Sequence, residues 1–162
     1  PRALGHDGAV MRRFKSSRGG GIDVDLTEDE KAFLSGVLDL LAGIPAAGDE
    51  PASRRLRVPV YLDDPESNEE WWRLMEGELH AARNADRRVF QHVLEESGRR
   101  HLSNEEADAF LRVLNEGRLA LGARFGLEVE DDHDRLPEEQ RDIMDYLGWL
   151  LEDLTTELSR SL

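Results

Sequence analysis

The chain has 162 residues, and its 35 Asp and Glu outnumber its 21 Lys and Arg, giving a formal net charge of −14. Residues 1–60 contain nine basic and nine acidic side chains, so residues 61–162 carry the whole excess. An acidic body attracts phosphates poorly, which argues against a broad nucleic-acid surface. Because cysteine is absent, disulfides, thiol catalysis, cysteine zinc sites and a cysteine redox switch are excluded.

The N-terminal part predicts a patternless segment followed by a hairpin. We expect residues 1–10 to lie outside the fold, either as an unstructured segment or as a remnant that precedes a natural start at Met11. Residues 11–162 are predicted to form a single helical domain. Within this domain, Gly19–Gly21 precede a segment, 22–26, in which apolar and polar residues alternate. This arrangement is typical of a small β-hairpin.

The remaining chain is dominated by helix signals. A capping box, in which Ser or Thr precedes a Glu by three residues, predicts a helix start at Thr27–Glu30, Ser67–Glu70 and Ser103–Glu106. Pro137 suits the first turn of a fourth helix. The alternating segment 56–62 is expected to lie extended on the helices, since the proline within it disfavours a central strand. The sequence therefore predicts a mainly α fold, a single-domain bundle of four principal helices with a small N-terminal β-hairpin.

Two charged residues, Asp86 and Arg118, interrupt the apolar stripes of the second and third predicted helices. Each falls near the centre of its stripe at helical periodicity. An unpaired charge in a protein core costs several kcal/mol, so each of these side chains needs a partner. Because their signs are opposite, we predict that Asp86 and Arg118 form a structural ion pair between the two helices.

Two basic groups and one tryptophan are candidates for contacts with other molecules. The basic groups are Arg12, Arg13, Lys15 and Arg18 near the start and Arg54, Arg55 and Arg57 further on. These groups either are solvated surface or contact a protein partner or nucleic acid, so direct DNA contact is left open. Trp149 lies beside the main apolar face of the last helix, where it either covers a neighbouring loop or anchors a homodimer or partner.

No motif in the sequence predicts catalysis or a cofactor. The Gly19–Gly21 run precedes a strand-like segment and not a phosphate-binding helix, and the acidic run 130–134 lacks the spacing of a calcium loop. No pattern predicts a metal site or a nucleophilic grouping, so we expect a non-enzymatic protein without cofactors. With no run of about 18 apolar residues and no signal-peptide pattern, the sequence predicts a soluble, cytoplasmic protein that does not associate with membranes.

Three segments carry a resemblance to a known family: 102–130, 54–66 and 146–154. Together they resemble an actinobacterial family long labelled as a domain of unknown function, often encoded beside a Clp-protease adaptor and also called AosR-like, for oxidative-stress regulator. The resemblance implies a transcription-associated regulator that acts through protein partners such as a sigma factor. The resemblance also implies redox sensing by a pair of cysteines. This mechanism cannot operate in a chain without cysteine.

Three functions are therefore compared. The first is a non-enzymatic regulatory module whose acidic body meets a basic protein partner. The second is an enzyme with Asp86 and Arg118 in an open polar site between helices. The third, which only the genomic neighbourhood of the resembling family suggests, is a proteolysis-related adaptor. The regulatory module is the function that the sequence favours.

Overall fold

The computed structural model of the chain describes residues 12–46, 48–57, 60–128 and 130–162. It confirms the mainly α fold, with 70% helix, five helices of which four are long, and a small N-terminal antiparallel hairpin joined by a third strand. The expectation for residues 1–10 lies outside the described residues. Among the described helices, none is long and apolar enough to cross a membrane.

Three short strands form one antiparallel sheet in the order β1-β2-β3. They are β1 Phe14–Ser16, β2 Ile22–Val24 and β3 Arg100–Leu102. Ile22 pairs with Leu102, which brings the predicted hairpin against a strand that the sequence analysis did not predict. Gly21 is required at the turn because its φ is +84° and a Cβ there would collide with the Leu102 carbonyl oxygen.

The helices agree with two of the three predicted capping boxes. They are α1 Glu28–Ala42, α2 Pro51–Leu56, α3 Pro65–Glu95, α4 Asn104–Arg124 and α5 Glu138–Ser161, with a 3-10 helix at Glu130–Arg135. Thr27 and Ser103 cap α1 and α4 as predicted. The predicted start of α3 at Ser67 is wrong, because Asp64 caps the helix three residues earlier by accepting the backbone N–H of Ser67.

The connector before α3 differs from its prediction. Glu50 caps α2 by accepting the N–H of Ser53, and Pro51 occupies the first helical position, where it needs no N–H partner. Leu56 therefore ends a helix and does not begin an extended segment. At the other end of the connector, Leu62 is 88% exposed and does not lie on the helices, so the prediction is wrong there as well.

Helix α4 packs against α1, α2, α3, α5 and β3, which makes it the centre of the fold. Phe110 on α4 is fully buried and stacks on Phe90 of α3 with ring centroids 4.4 Å apart, while the Phe14 ring of β1 meets its edge at 5.9 Å. Further along α4, a Cβ on Gly117 would lie 2.5 Å from Val37 Cγ1 of α1. The glycine therefore allows α1 and α4 to approach closely.

Helix α3 is packed at one end only. Its two buried residues, Phe90 and Val93, lie in the last two turns, where α1 and α4 cover them. Toward its start, Trp71 and Met75 are half-buried, and Leu74 is 70% exposed. The helix thus extends from the core into a region where its apolar residues are incompletely covered.

Candidate functional site

A buried charged cluster joins the N-terminal strand to α1 and α5. Arg13 Nε lies 2.7 Å from Glu30 Oε1, and the two side chains are 9% and 1% exposed. The Tyr146 hydroxyl donates to Glu30 Oε2 at 2.7 Å. Because Glu30 also accepts the N–H of Thr27 in the α1 capping box, its carboxylate serves the helix start and the tertiary contact together.

The environment of this cluster is apolar enough to change the titration of Tyr146. Burial raises the pKa of the Tyr146 phenol well above its usual range, and the hydrogen bond to the Glu30 carboxylate raises this pKa further. The phenol therefore stays a hydrogen-bond donor at physiological pH. Its geometry fits a structural role, since both Glu30 oxygens have donors within the protein.

Arg13 was predicted to be either solvated surface or a contact to a partner or nucleic acid, and its 8% exposure contradicts both alternatives. Its side chain is buried at the Glu30 contact, and its guanidinium carbon lies 6.0 Å from the Trp149 ring centroid. No feature of the local sequence distinguishes Arg13 from its neighbours, because burial here is decided by the packing of β1 on α5. Packing on α5 also places Phe14 N within 3.2 Å of Asp153 Oδ2.

Asp153 is a second partly buried carboxylate on α5. Burial raises the pKa of the Asp153 carboxyl, the hydrogen bond from the Phe14 N–H opposes this rise, and the charge of Glu157 adds to it. Glu157 itself is 2% exposed and contacts Arg12 Nη1 at 3.1 Å. The C-terminal part of α5 therefore holds the N-terminal strand through both a hydrogen bond and an ion pair.

Asp86 forms an inter-helix ion pair, but the predicted partner is wrong. Arg112 of α4 donates to both Asp86 oxygens, from Nε at 2.8 Å and from Nη2 at 2.9 Å. Arg118 is exposed and has no ion pair in the part of the chain that the structure describes; its Nε lies 3.9 Å from the position of a Cβ on Gly148. The buried face of α4 runs through Phe110, Val113 and Gly117, which puts Arg118 at its edge.

The basic groups are partly neutralised by the protein's own carboxylates. Arg12, Arg54 and Arg57 form ion pairs with Glu157, Asp49 and Glu69. Lys15, Arg18 and Arg55 are exposed and have no ion pair among the described residues. The two groups lie on different elements, since β1 packs on α5 and α2 packs on α4. Few cations therefore remain for a phosphate backbone.

Trp149 is half-buried and packs against the hydrophobic core. Its ring contacts the Arg13 guanidinium, and its centroid lies 6.2 Å from that of Tyr146. The tryptophan thus lies over Arg13 in the segment before β1, an arrangement that fits the alternative in which it covers a neighbouring loop. A role as dimer or partner anchor stays a prediction.

A family model described as a domain of unknown function, DUF2017, matches residues 11–158. The chain belongs to the DUF2017 family. No curated protein and no solved structure matches it. The family description carries no activity, so function in this DUF2017 chain has to be argued from its own surfaces.

A groove of about 720 Å³ lies between α1 and α3 of the DUF2017 chain. Its lining mixes charges of both signs, including Lys31, Asp39, Arg87 and Glu95. The described residues contain no group of three or more His, Asp or Glu that could hold a metal ion. The polar pair required by the enzyme alternative, Asp86 with Arg118, is not assembled in this groove or elsewhere in the described structure.

A group of exposed apolar side chains is a surface feature that the sequence analysis missed. Val60, Tyr61 and Leu62 are 47%, 48% and 88% exposed in the connector that leads into α3. Asn68 holds this connector by accepting the backbone N–H groups of Val60 and Tyr61 and donating to the Tyr61 carbonyl. We call residues 60–62 the apolar tip. Alternation of apolar residues predicted that they would be covered, yet the tertiary structure leaves them in solvent.

Proposed function

We propose that this protein is a non-enzymatic regulatory protein that acts by binding a protein partner through the apolar tip. Exposure of Tyr61 and Leu62 on a connector fixed by Asn68 is the observation that supports this proposal. A clustered, exposed aromatic and leucine are typical of interaction sites, since they release water when a partner covers them. Holding the backbone in place lowers the entropy that binding would otherwise cost.

The charge beside the apolar tip indicates what kind of partner fits. Residues 63–70 contain five carboxylates and no Lys or Arg. One of these carboxylates, Asp64, is committed to capping α3, and Glu69 contacts Arg57. Glu70 contacts Arg73, and the remaining two, Asp63 and Glu66, extend the acidic surface next to the tip. The partner would therefore present an apolar pocket with basic side chains at its edge, a complementarity that favours both encounter rate and specificity.

The resemblance to AosR-like regulators supplies a narrower version of the proposal. In that version the protein is a cytoplasmic, transcription-associated regulator, and the partner is a sigma factor. A chain without cysteine would respond to a signal other than oxidation of its own thiols. The acidic surface beside the apolar tip suits this class of partner, because a protein that binds DNA presents basic surfaces.

Binding to purified sigma factors of the source organism, measured by biolayer interferometry, tests the proposal. Leu62→Asp should weaken binding by more than about tenfold, since it removes the most exposed apolar side chain of the tip and places a charge in the partner's apolar pocket at a desolvation cost. Leu162→Asp is the matched control, because Leu162 is 95% exposed at the other end of the chain. Equal binding by wild type and Leu62→Asp, or no binding to any sigma factor, would count against the proposal.

Direct nucleic-acid contact is a separable part of the proposal. Lys15, Arg18 and Arg55 are the predicted contacts that have no internal ion pair among the described residues. If they contact phosphates, replacing all three with glutamine should reduce the slope of log K for duplex binding against log salt concentration by about 3, since each phosphate contact contributes about 0.9. A mobility-shift series across salt concentrations measures this. No shift at low salt would leave the protein-binding version alone.

A further inference from the structure

One face of α3 is exposed along most of the helix, and it differs from the faces that contact the core. We call it the free face and define it by residues that recur three or four positions apart: Trp71, Leu74, Glu78, Ala81, Ala85, Arg88 and His92. All of these are exposed except Trp71, which is half-buried. Asp86 and Phe90 point to α4, and the side that carries Asn84 and Arg87 borders the groove with α1. Arg88 lies at the edge between the free face and this groove, whose lining it joins.

Side-chain size is graded along the free face. Its first half carries Trp71 and Leu74, and Leu74 is 70% exposed. Its second half carries Ala81 and Ala85, which leave the helix backbone accessible. A second helix running in the opposite direction would place the large side chains of one half against the small ones of the other. Interdigitation of this kind is the usual basis of close helix packing.

Charge is graded in the same direction. Glu66, Glu70 and Glu78 lie on or beside the first half of the free face, whereas Arg88 and His92 lie on the second half. Glu70 contacts Arg73 in its own helix, an exposed pair that competes weakly with other partners. Arg88 has no ion pair in the described part of the chain. The two halves are therefore complementary to each other in charge as well as in size.

We infer that the free face of α3 binds the same face of a second copy of this chain, with the two helices antiparallel. A two-fold axis perpendicular to α3, passing beside the helix at the level of residues 79 and 80, would place Leu74 opposite Ala85 of the second copy. The same register puts Trp71 opposite Arg88, in reach of a cation–π contact, and Glu70 beside that arginine. Each contact occurs twice, as a two-fold interface requires.

The complementarity favours a second copy over an unrelated protein. One surface contains both the acidic, bulky half and the basic, small half, so it fits its own two-fold image without any further partner. The free face and the apolar tip consist of different residues, although the register brings residues 90–94 of the second copy beside residues 65–69, next to the tip. Substitutions in the free face and in the tip test the two proposals separately, so either can fail alone.

Sedimentation velocity of the full chain across a concentration series tests the dimer. Wild type should approach twice the 18.4 kDa mass of one chain. Leu74→Asp should leave only monomer, while its helicity stays unchanged because Leu74 is exposed. Leu162→Asp is the control that should leave the dimer intact, because Leu162 is 95% exposed and lies outside α3. A monomer at all concentrations, or a Leu74→Asp dimer, overturns the inference.

Charge reversal tests the register. Glu70→Arg alone and Arg88→Glu alone should each weaken the dimer by about tenfold, since each places like charges together at two symmetric positions. The double variant Glu70→Arg/Arg88→Glu restores both charge pairs but not the cation–π contacts with Trp71, so it should bind more tightly than either single variant and less tightly than wild type. No recovery would overturn the pairing of these residues. Surface substitutions of this kind leave the monomer fold intact, so circular dichroism of each variant serves as the control.

Cysteine crosslinking tests the helix direction, because the chain has no cysteine of its own. Leu74→Cys/Ala85→Cys should run as a covalent dimer on a non-reducing gel, since the antiparallel register brings residue 74 of one copy to disulfide distance from residue 85 of the other. Leu74→Cys alone should remain uncrosslinked under mild oxidation, because two copies of residue 74 would lie about 16 Å apart along the helices. Efficient crosslinking of the single variant would indicate parallel helices and overturn the inference.

Discussion

The core around Glu30 buries charged side chains, whereas the region at the start of α3 exposes apolar ones to solvent. In the core, Arg13, Glu30 and Glu157 are charged and nearly inaccessible to solvent. At the start of α3, Leu62 and Leu74 are apolar and mostly exposed. The buried charges have partners within the protein, whereas the exposed leucines have none in the described structure. The compensated charges contribute to the stability of the fold, and we propose that the uncovered leucines serve binding.

The comparison also separates two kinds of ion pair. Glu30 lies in the core and meets Arg13, Tyr146 and the start of α1, so removing it disturbs three elements. Asp86 meets Arg112 at the surface, where the arginine side chain is 58% exposed. Water can replace Arg112, whereas the Arg13 side chain is only 9% exposed. The two pairs should therefore differ in energy even though both join separate elements.

Removing the charge of Glu30 should have the largest effect on stability. Glu30→Gln leaves the buried Arg13 guanidinium without its carboxylate, so we expect a loss of about 3 to 5 kcal/mol in the free energy of unfolding. Urea denaturation followed by circular dichroism measures it. Glu69→Gln is the control, because the Glu69 side chain is 74% exposed in its pair with Arg57. Similar losses for both variants would contradict the assigned difference between core and surface.

A methyl group at Gly117 should destabilise the contact between α1 and α4. Gly117→Ala improves helix propensity by about 1 kcal/mol, but its Cβ would overlap Val37, and overpacking costs about 1 to 3 kcal/mol. We therefore expect Gly117→Ala to lower the Tm measured by thermal unfolding. Gly36→Ala provides the matched control in α1, since no atom lies within 4 Å of its added Cβ, and it should stabilise. A stabilising Gly117→Ala would show that the two helices are less closely packed.

Truncation of Asp86 should cost about 1 kcal/mol or less, because the pair with Arg112 is largely at the surface. Arg118→Ala should change the free energy of unfolding by less than about 0.5 kcal/mol. A double-mutant cycle of Asp86→Ala with Arg112→Ala, compared with Asp86→Ala and Arg118→Ala, measures the coupling. Coupling to Arg118 in place of Arg112 would support the original sequence prediction.

Asp153 should produce a small, pH-dependent effect. Burial raises the pKa of this carboxyl in the folded protein, so its ionisation destabilises the fold as the pH rises through that pKa. Asp153→Asn should therefore raise Tm at pH 7, and the gain should fade as the pH falls toward the ordinary carboxyl pKa. Asp49→Asn, at a 98% exposed side chain, is the control. A gain that does not change with pH would exclude this cause.

Local features of this chain were predictable because their determinants lie within a few residues. Thr27 with Glu30 and Ser103 with Glu106 satisfy backbone donors of their own helix, so their spacing alone predicts where α1 and α4 begin. The predicted start of α3 at Ser67 was wrong for an equally local reason, since Asp64 caps the helix and Pro65 begins its first turn. The hairpin likewise follows from neighbouring glycines and alternating side chains, whereas β3 forms only because β2 is beside it.

The sequence by itself therefore determined the helical class, the starts of α1 and α4 and the uneven charge of this protein. Only the tertiary structure decided which charges are buried, that Asp86 meets Arg112, and that the apolar tip and the free face of α3 remain uncovered. Helical periodicity places a residue on a stripe but leaves the orientation of that stripe to packing between elements. A rotation of α4 by a fraction of a turn is enough to exchange Arg118 for Arg112 as the residue facing α3.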